Sequence, residues 1–134
     1  MSTSLKESIA ARKGEQPIEC FDSDTRAGSF IEFQPSPESR LGFAFAQLLH
    51  YSLEANPAAE DAKDAPPERL TLGFSTADVV IMGARLVRLT DLLREHKLAV
   101  VRSLSGRYRN VESAAPWVGE IAVRRLDKSE RPAD

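Results

Sequence analysis

The sequence predicts an α+β fold, in which a small and mostly antiparallel sheet of four or five strands is covered on one face by one main amphipathic helix. An alternating segment at 69–74 and a β-branched run at 79–82 flank turn-forming residues at 75–78, which is the pattern of a β-hairpin. After Gly83 the hydrophobic period changes from two to that of an α-helix. Residues 117–123 alternate again and supply a closing strand. A helix with one apolar face has to bury that face, so we expect it to pack on the sheet.

Length and composition indicate one soluble domain. The chain has 134 residues, of which 42% are hydrophobic and 28% are charged, and its formal net charge is −2. These values are typical of a globular protein that buries its own core, and they argue against a polycation that coats nucleic acid. No apolar run approaches the roughly 20 residues that cross a bilayer, and we predict no membrane association. The single cysteine, Cys20, cannot form an internal disulfide, which suits a reducing compartment and predicts a cytoplasmic protein, and the richness in Ala and Arg is typical of bacterial proteins.

The domain is predicted to occupy residues 28–123. Residues 1–27 are interpreted as an N-terminal arm and loop, with a short helix that begins at a capping box at Ser4. Residues 56–67 contain three prolines and no large apolar side chain, so they are interpreted as an exposed and mobile acidic connector. Residues 124–134 are interpreted as a charged tail.

Several elements follow from local patterns, and two stay open. Residues 28–34 carry bulky aromatics and predict a strand, and Ser-Pro-Glu-Ser at 36–39 is typical of a helix start. Residues 41–53 fit both strand and helix spacing; we choose a strand for 47–54, because a two-stranded hairpin needs a neighbouring strand to be stable. Residues 98–104 fit a strand or a second helical turn, and the sequence does not decide between them.

The main helix is predicted from about Arg85 to His96. At 100° per residue its leucines 86, 89 and 93 lie on one arc, which is predicted to contact the sheet. The opposite arc is polar and is formed by Arg88, Asp91, Arg94 and Glu95. In the closing strand, Trp117 is predicted to share a face with residues 119, 121 and 123 and to fill the core.

No catalytic residue, cofactor site or metal site is identified. Cys20, His50 and His96 are far apart in sequence, and neither paired metal-ligand spacing nor a Gly-rich phosphate loop is present. His50 is interpreted as a half-buried histidine of the sheet, and His96 as a residue of the helix end, where a cation suits the helix dipole. Cys20 has no cationic neighbour in sequence and is interpreted as an inert thiol. Asp78 is interpreted as a turn residue.

A basic segment at 85–109 is the main functional candidate. It contains seven bases and two acids, whereas residues 54–68 contain five acids and one lysine. A partner protein with an acidic surface is one interpretation, because complementary charge steers association. A second is that the acidic segment lies against the basic one, and a third is nucleic-acid binding, with Tyr108 stacking a base between arginines 102, 107 and 109. The residues predicted to bind a partner are Arg88, Arg94, Arg107, Tyr108 and Arg109.

These observations lead to a hypothesis of a non-enzymatic protein-interaction or assembly module. One helix would cover one face of the sheet and leave the other face bare, which predicts a homodimer or a docked protein partner. The alternative is a small-molecule-binding protein or an enzyme, with a pocket between sheet and helix near His50, Tyr51 and Trp117. A nucleic-acid-binding accessory protein that uses residues 85–109 is less favoured, because the whole chain is slightly acidic.

Overall fold

The computed structural model describes residues 19–62, 64–106 and 115–126. Within these ranges eight strands form two four-stranded sheets, and one α-helix, α1 (Val87–Arg94), connects them. Two 3₁₀ turns lie at Phe45–Gln47 and Pro57–Glu60. The strands are β1 (Phe21–Ser23), β2 (Phe30–Ser36), β3 (Ser39–Ala44), β4 (Leu48–Ala55), β5 (Glu68–Phe74), β6 (Ala77–Ala84), β7 (Leu98–Arg102) and β8 (Trp117–Arg125).

The two sheets differ in strand direction. Sheet I has the order β1-β7-β2-β3, and sheet II has the order β4-β5-β6-β8. Every pair in sheet II is antiparallel, whereas β2 and β7 of sheet I run parallel, with Glu32 opposite Val100. The predicted hairpin is confirmed as β5 and β6, whose turn contains only Ser75 and Thr76. The residue Asp78 belongs to β6 rather than to the turn.

The sheets pack face to face around one core. The ring of Phe74 in sheet II lies 4.7 Å from the ring of Phe43 and 6.1 Å from that of Phe33, both in sheet I, measured between centroids. The α+β class and the helix are therefore confirmed, but the single sheet covered by a helix is wrong. The inner face of each sheet is covered by the other sheet. A second sheet can bury an apolar sheet face as effectively as a helix can.

Helix α1 adds leucines to this core. Leu86 and Leu89 are fully buried, and Leu93 is 1% exposed, so the predicted apolar arc is confirmed. The helix begins two residues later than predicted, and the carboxylate of Glu68 accepts a hydrogen bond of 2.8 Å from the backbone N–H of Leu86, just before the first turn. A carboxylate is stabilising there, because the N–H groups and the dipole of a helix start favour negative charge.

The helix ends in a Schellman motif with a histidine in the left-handed position. His96 has φ 60° and donates its N–H to Leu93 O at 3.0 Å, while Lys97 N–H donates to Leu92 O at 2.9 Å. The imidazole of His96 stacks on the ring of Phe45, with centroids 4.6 Å apart. His96 is thus a structural residue of the helix end, as predicted, and it attaches this end to the 3₁₀ turn before β4.

The ambiguous segments are mostly extended, and the 3₁₀ turn Phe45–Gln47 interrupts the one at 41–53. The predicted helix start at 36–39 is wrong, because Ser36 and Ser39 pair across a turn that contains Pro37 and Glu38. Proline at the first corner of a turn explains the confusion, since this position and a helix start need a similar φ. The strand chosen for 47–54 is confirmed as β4, and Leu98–Arg102 forms β7.

The closing strand is confirmed, but its faces differ from the prediction. A register shift between Met82 and Gly83 marks a bulge in the pairing of β6 with β8. Val118 and Ile121 both enter the core as a result, whereas Trp117 is buried outside the core cluster with its indole over Gly119. A bulge adds one residue to one strand, which inverts the alternation of side chains beyond it.

Segments outside the central domain are only partly described. The predicted helix at Ser4 and the tail beyond residue 126 lie outside the described residues. The segment predicted as a loop before residue 28 contains β1. In the acidic connector, Asn56 is 5% exposed, accepts from Ala58 N–H and donates its side-chain N–H to Pro66 O at 2.8 Å. The described part of the connector is therefore held to the fold at its start.

Candidate partner-binding surface

The outer face of α1 carries two of the predicted binding residues. Arg88 and Arg94 are both exposed, and Val87 beside them is 61% exposed, although it is a large hydrophobic residue. At 100° per residue, Val87 and Arg94 lie about 20° apart on the helix, one above the other. The guanidinium of Arg94 lies 3.6 Å from the carboxylate of Asp91 in the same face. The surface therefore has an apolar centre with cationic neighbours.

The other three predicted binding residues, Arg107, Tyr108 and Arg109, lie outside the described residues. The structure describes the two ends of that segment, Gly106 and Ala115. Their contribution to the surface stays a prediction.

Two arginines of the basic segment hold the fold together instead of facing solvent. Arg102 forms an ion pair with Asp22 of β1 at 2.6 Å and donates to the carbonyl of Glu19 at 2.9 Å. Arg85 donates its Nε–H to the carbonyl of Ala115 at 2.6 Å. The side chain of Arg102 is only 28% exposed, so it is not arranged as a free phosphate contact.

The acidic segment contacts the basic one at Glu68. Glu68 accepts the N–H of Leu86, as described above. Three ion pairs of the basic segment are local or lead to β1: Arg94 with Asp91, Lys97 with Glu95, and Arg102 with Asp22. The outer arc of α1 carries two bases, Arg88 and Arg94, and two acids, Asp91 and Glu95, and Arg88 takes part in none of these three pairs.

The residues of the alternative pocket do not come together. His50 and Tyr51 lie on β4 and Trp117 lies on β8, the two opposite edge strands of sheet II, with β5 and β6 between them. Neighbouring strands are about 4.8 Å apart, so roughly 14 Å separates the two edges. His50 is exposed rather than half-buried, and its imidazole lies flat over Gly73 of the neighbouring strand.

The remaining candidates for chemistry are structural or inert. Burial raises the pKa of the Cys20 thiol to about 11, and its Sγ contacts Pro116 O at 3.6 Å. A thiol with a raised pKa and 1% exposure is a poor nucleophile, as predicted. No group of three or more His, Cys, Asp or Glu side chains in the described ranges is arranged to hold a metal ion.

Sequence reasoning missed three exposed large hydrophobic residues of the described chain, Phe30, Leu49 and Val87, of which Phe30 is 64% exposed. Val87 falls on the polar arc of the helix. The helical spacing predicts this, because residue 87 lies on the same side of the helix as Arg94. Leu49 is 57% exposed and lies at a register shift between Leu48 and His50, which no sequence pattern announces.

Comparison of the chain with known protein families, with curated proteins and with solved structures finds no match. Among the residues described, there is no helix with the length and apolar character that a membrane span needs.

Proposed function

We propose that the protein is a non-enzymatic interaction module that binds a protein with an acidic surface on the outer face of α1. The observation that carries this proposal is the exposure of Val87 between Arg88 and Arg94. An exposed hydrophobic residue next to arginines has the composition of a small protein-binding centre, since interfaces are enriched in arginine and bury apolar side chains at their middle.

The fold supports such a role because the surface is rigid. Leu89, Leu92 and Leu93 fix the inner side of α1 in the core, and the Schellman motif fixes its end. A pre-ordered surface loses little conformational entropy when a partner binds. The two arginines would accelerate association with an acidic partner and would make it dependent on salt.

The bare apolar sheet face that the sequence predicts as a docking site is not present in the described fold. Each sheet covers the inner face of the other, so the core requires no second protein. The proposed binding site is therefore the outer face of α1. The segment with Arg107, Tyr108 and Arg109 is proposed to extend this surface.

The test compares proteins captured by three forms of the tagged full chain. These are the wild type, Arg88→Glu/Arg94→Glu, and the control Arg124→Glu/Arg125→Glu, which makes the same charge change at exposed positions of β8. We expect a protein that binds the wild type and the control, and whose purified form binds the α1 variant at least tenfold more weakly. Equal binding by all three forms would contradict the proposal, and circular dichroism would establish that all three are folded.

A further inference from the structure

Sheet II has an edge strand, β4, that is separate from the helix surface and offers a second site for association. Strand β4 ends the sheet, and β5 is its only hydrogen-bonded neighbour strand among the described residues. From the backbone direction and side-chain pattern of this edge, we infer that β4 pairs with β4 of a second copy of this chain. The two strands run antiparallel about a two-fold axis at Ser52.

The backbone of β4 is available for this pairing at alternate residues. Asn56 N–H, just after the strand, donates to Pro67 O at 2.9 Å, towards the β5 side. In an antiparallel strand the N–H and C=O of one residue point to the same side, and successive residues alternate. The even-numbered residues therefore bond β5, whereas Tyr51, Leu53 and Ala55 direct both backbone groups to the free edge.

Over residues 50–55 the edge lacks the features that normally prevent strand pairing, and the bulge of β4 lies at one end of it, between Leu48 and His50. From His50 to Ala55 the pairing of β4 with β5 has no register shift, and Glu54 is the only residue of Leu48–Ala55 with a formal charge. Protected edges carry lysines, prolines or bulges. The opposite edge strand, β8, has them: a bulge and the charged residues Glu120, Arg124 and Arg125.

Side-chain chemistry selects the second copy as the occupant and Ser52 as the centre. With Ser52 opposite itself, His50 faces Glu54 of the second copy, so an imidazole N–H can donate to a carboxylate twice by symmetry. Both side chains are exposed in the single chain, in which Oε1 of Glu54 pairs with Arg69 at 3.1 Å and Oε2 is left for the imidazole. Leu49, which is 57% exposed, comes beside Ala55 of the second copy and is covered. An axis at Leu53 would instead place His50 opposite Asn56 and leave Leu49 uncovered.

The pairing also continues the core. Tyr51 and Leu53 face the core side of sheet II and are partly buried. In the proposed register Tyr51 of one copy lies beside Leu53 of the other, and cross-strand pairs of aromatic and aliphatic residues stabilise a sheet. The result is one eight-stranded sheet made of two copies of sheet II.

A cysteine placed on the axis tests the register. Ser52 bonds β5, so it would form a non-hydrogen-bonded pair with Ser52 of the second copy, with Cα atoms about 4.5 Å apart, a separation that a disulfide spans. We expect Ser52→Cys to give a covalent dimer on mild oxidation. The control is Ala122→Cys, an exposed position of the same cross-strand row on β8. Cross-linking of Ser52→Cys no faster than that of Ala122→Cys would overturn the register.

Light scattering of the full chain tests the association itself. We expect a mass of twice 14.8 kDa for the wild type and a shift to 14.8 kDa for Leu49→Arg. The control Val87→Arg changes an equally exposed hydrophobic residue and should remain a dimer, which also separates this inference from the function proposed for α1. A wild-type mass of 14.8 kDa up to hundreds of micromolar would overturn the inference. Slow amide exchange at Tyr51 and Leu53 in that monomer would then assign the edge to another segment of the chain.

Discussion

Sheets I and II are built from the chain in different ways. Sheet II joins β4, β5 and β6, which follow one another in sequence, and adds β8 from the end of the described chain. Sheet I combines the hairpin of β2 and β3 with β1 and with β7, and its central pair joins Glu32 to Val100. Contacts between residues near in sequence therefore organise one half of this core, and contacts between residues distant in sequence organise the other.

Helix α1 and the phenylalanine contacts connect sheet I with sheet II. A substitution that disrupts these contacts should therefore destabilise both sheets. Leu89 is fully buried in the core cluster, and Leu89→Asp would place a carboxylate there. An unpaired buried charge costs several kcal/mol, against a total stability of about 5–15 kcal/mol for a domain. We therefore expect this variant to be unfolded by circular dichroism.

The neighbouring Arg88→Ala is the control for the helix. Its side chain is exposed, so we expect a change of no more than about 0.5 kcal/mol in the free energy of unfolding. If Leu89→Asp lost only the helix and kept both sheets, the packing of sheet I on sheet II would not depend on α1.

Glycine substitutions compare the two sheets directly. A Cβ at Gly83 of sheet II would overlap the carbonyl oxygen of Trp117, whereas a Cβ at Gly42 of sheet I would have no neighbour nearer than 3.9 Å. Gly83→Ala should therefore force β6 away from β8 and cost about 1–3 kcal/mol, as overpacking does. Urea unfolding followed by Trp117 fluorescence measures this cost, and Gly42→Ala should change the free energy of unfolding less. If Gly83→Ala lowered the free energy of unfolding no more than Gly42→Ala does, β8 would be able to move away from Gly83 without an energetic cost.

The sequence could predict most of sheet II and α1, and this asymmetry has a physical cause. The alternation in β5 and the change of period after Gly83 report local burial, so they locate the hairpin and the helix correctly. The parallel pair of β2 and β7 leaves no local signature, because the preference of a strand for a partner depends on the whole fold. At the proposed binding surface, the exposure of Arg88 and Arg94 was predictable from helix geometry. The ion pair of Arg102 with Asp22 was not, because it depends on the pairing of β1 with β7.

Cys20 makes the edge of sheet I sensitive to alkaline pH. Its pKa is raised to about 11 in the folded protein, from 9.0 for an unperturbed thiol, so the unfolded chain loses this proton first as the pH rises. The contribution of the thiol to stability is then complete below about pH 9 and is lost between about pH 9 and 11. In this window the free energy of unfolding should fall with pH less steeply for Cys20→Ala than for the wild type. The difference in slope should be at most about 1.4 kcal/mol per pH unit. Identical slopes for the two proteins in urea titrations would contradict the shift.

A small effect on global stability is expected at the outer strand of sheet I. Arg102→Ala removes the ion pair with Asp22, which is 55% exposed, and the hydrogen bond to Glu19. Partly exposed ion pairs contribute about 0–1 kcal/mol, so global stability should fall by no more than this. The loss should be local, and faster amide exchange at residues 21–23 than in the wild type would show it. Unchanged exchange there would mean that β1 is held by its backbone pairing with β7 alone.

The parallel pair at the centre of sheet I has a kinetic consequence. Its partners, Glu32 and Val100, are separated by most of the domain, so the intervening chain has to close a long loop before they meet. Hairpins assemble in microseconds, whereas such long-range pairings slow the crossing of the folding barrier. We expect sheet II to be organised early on the folding pathway and the pairing of β2 with β7 to be among the last events, leaving the inner face of sheet II open to water until then.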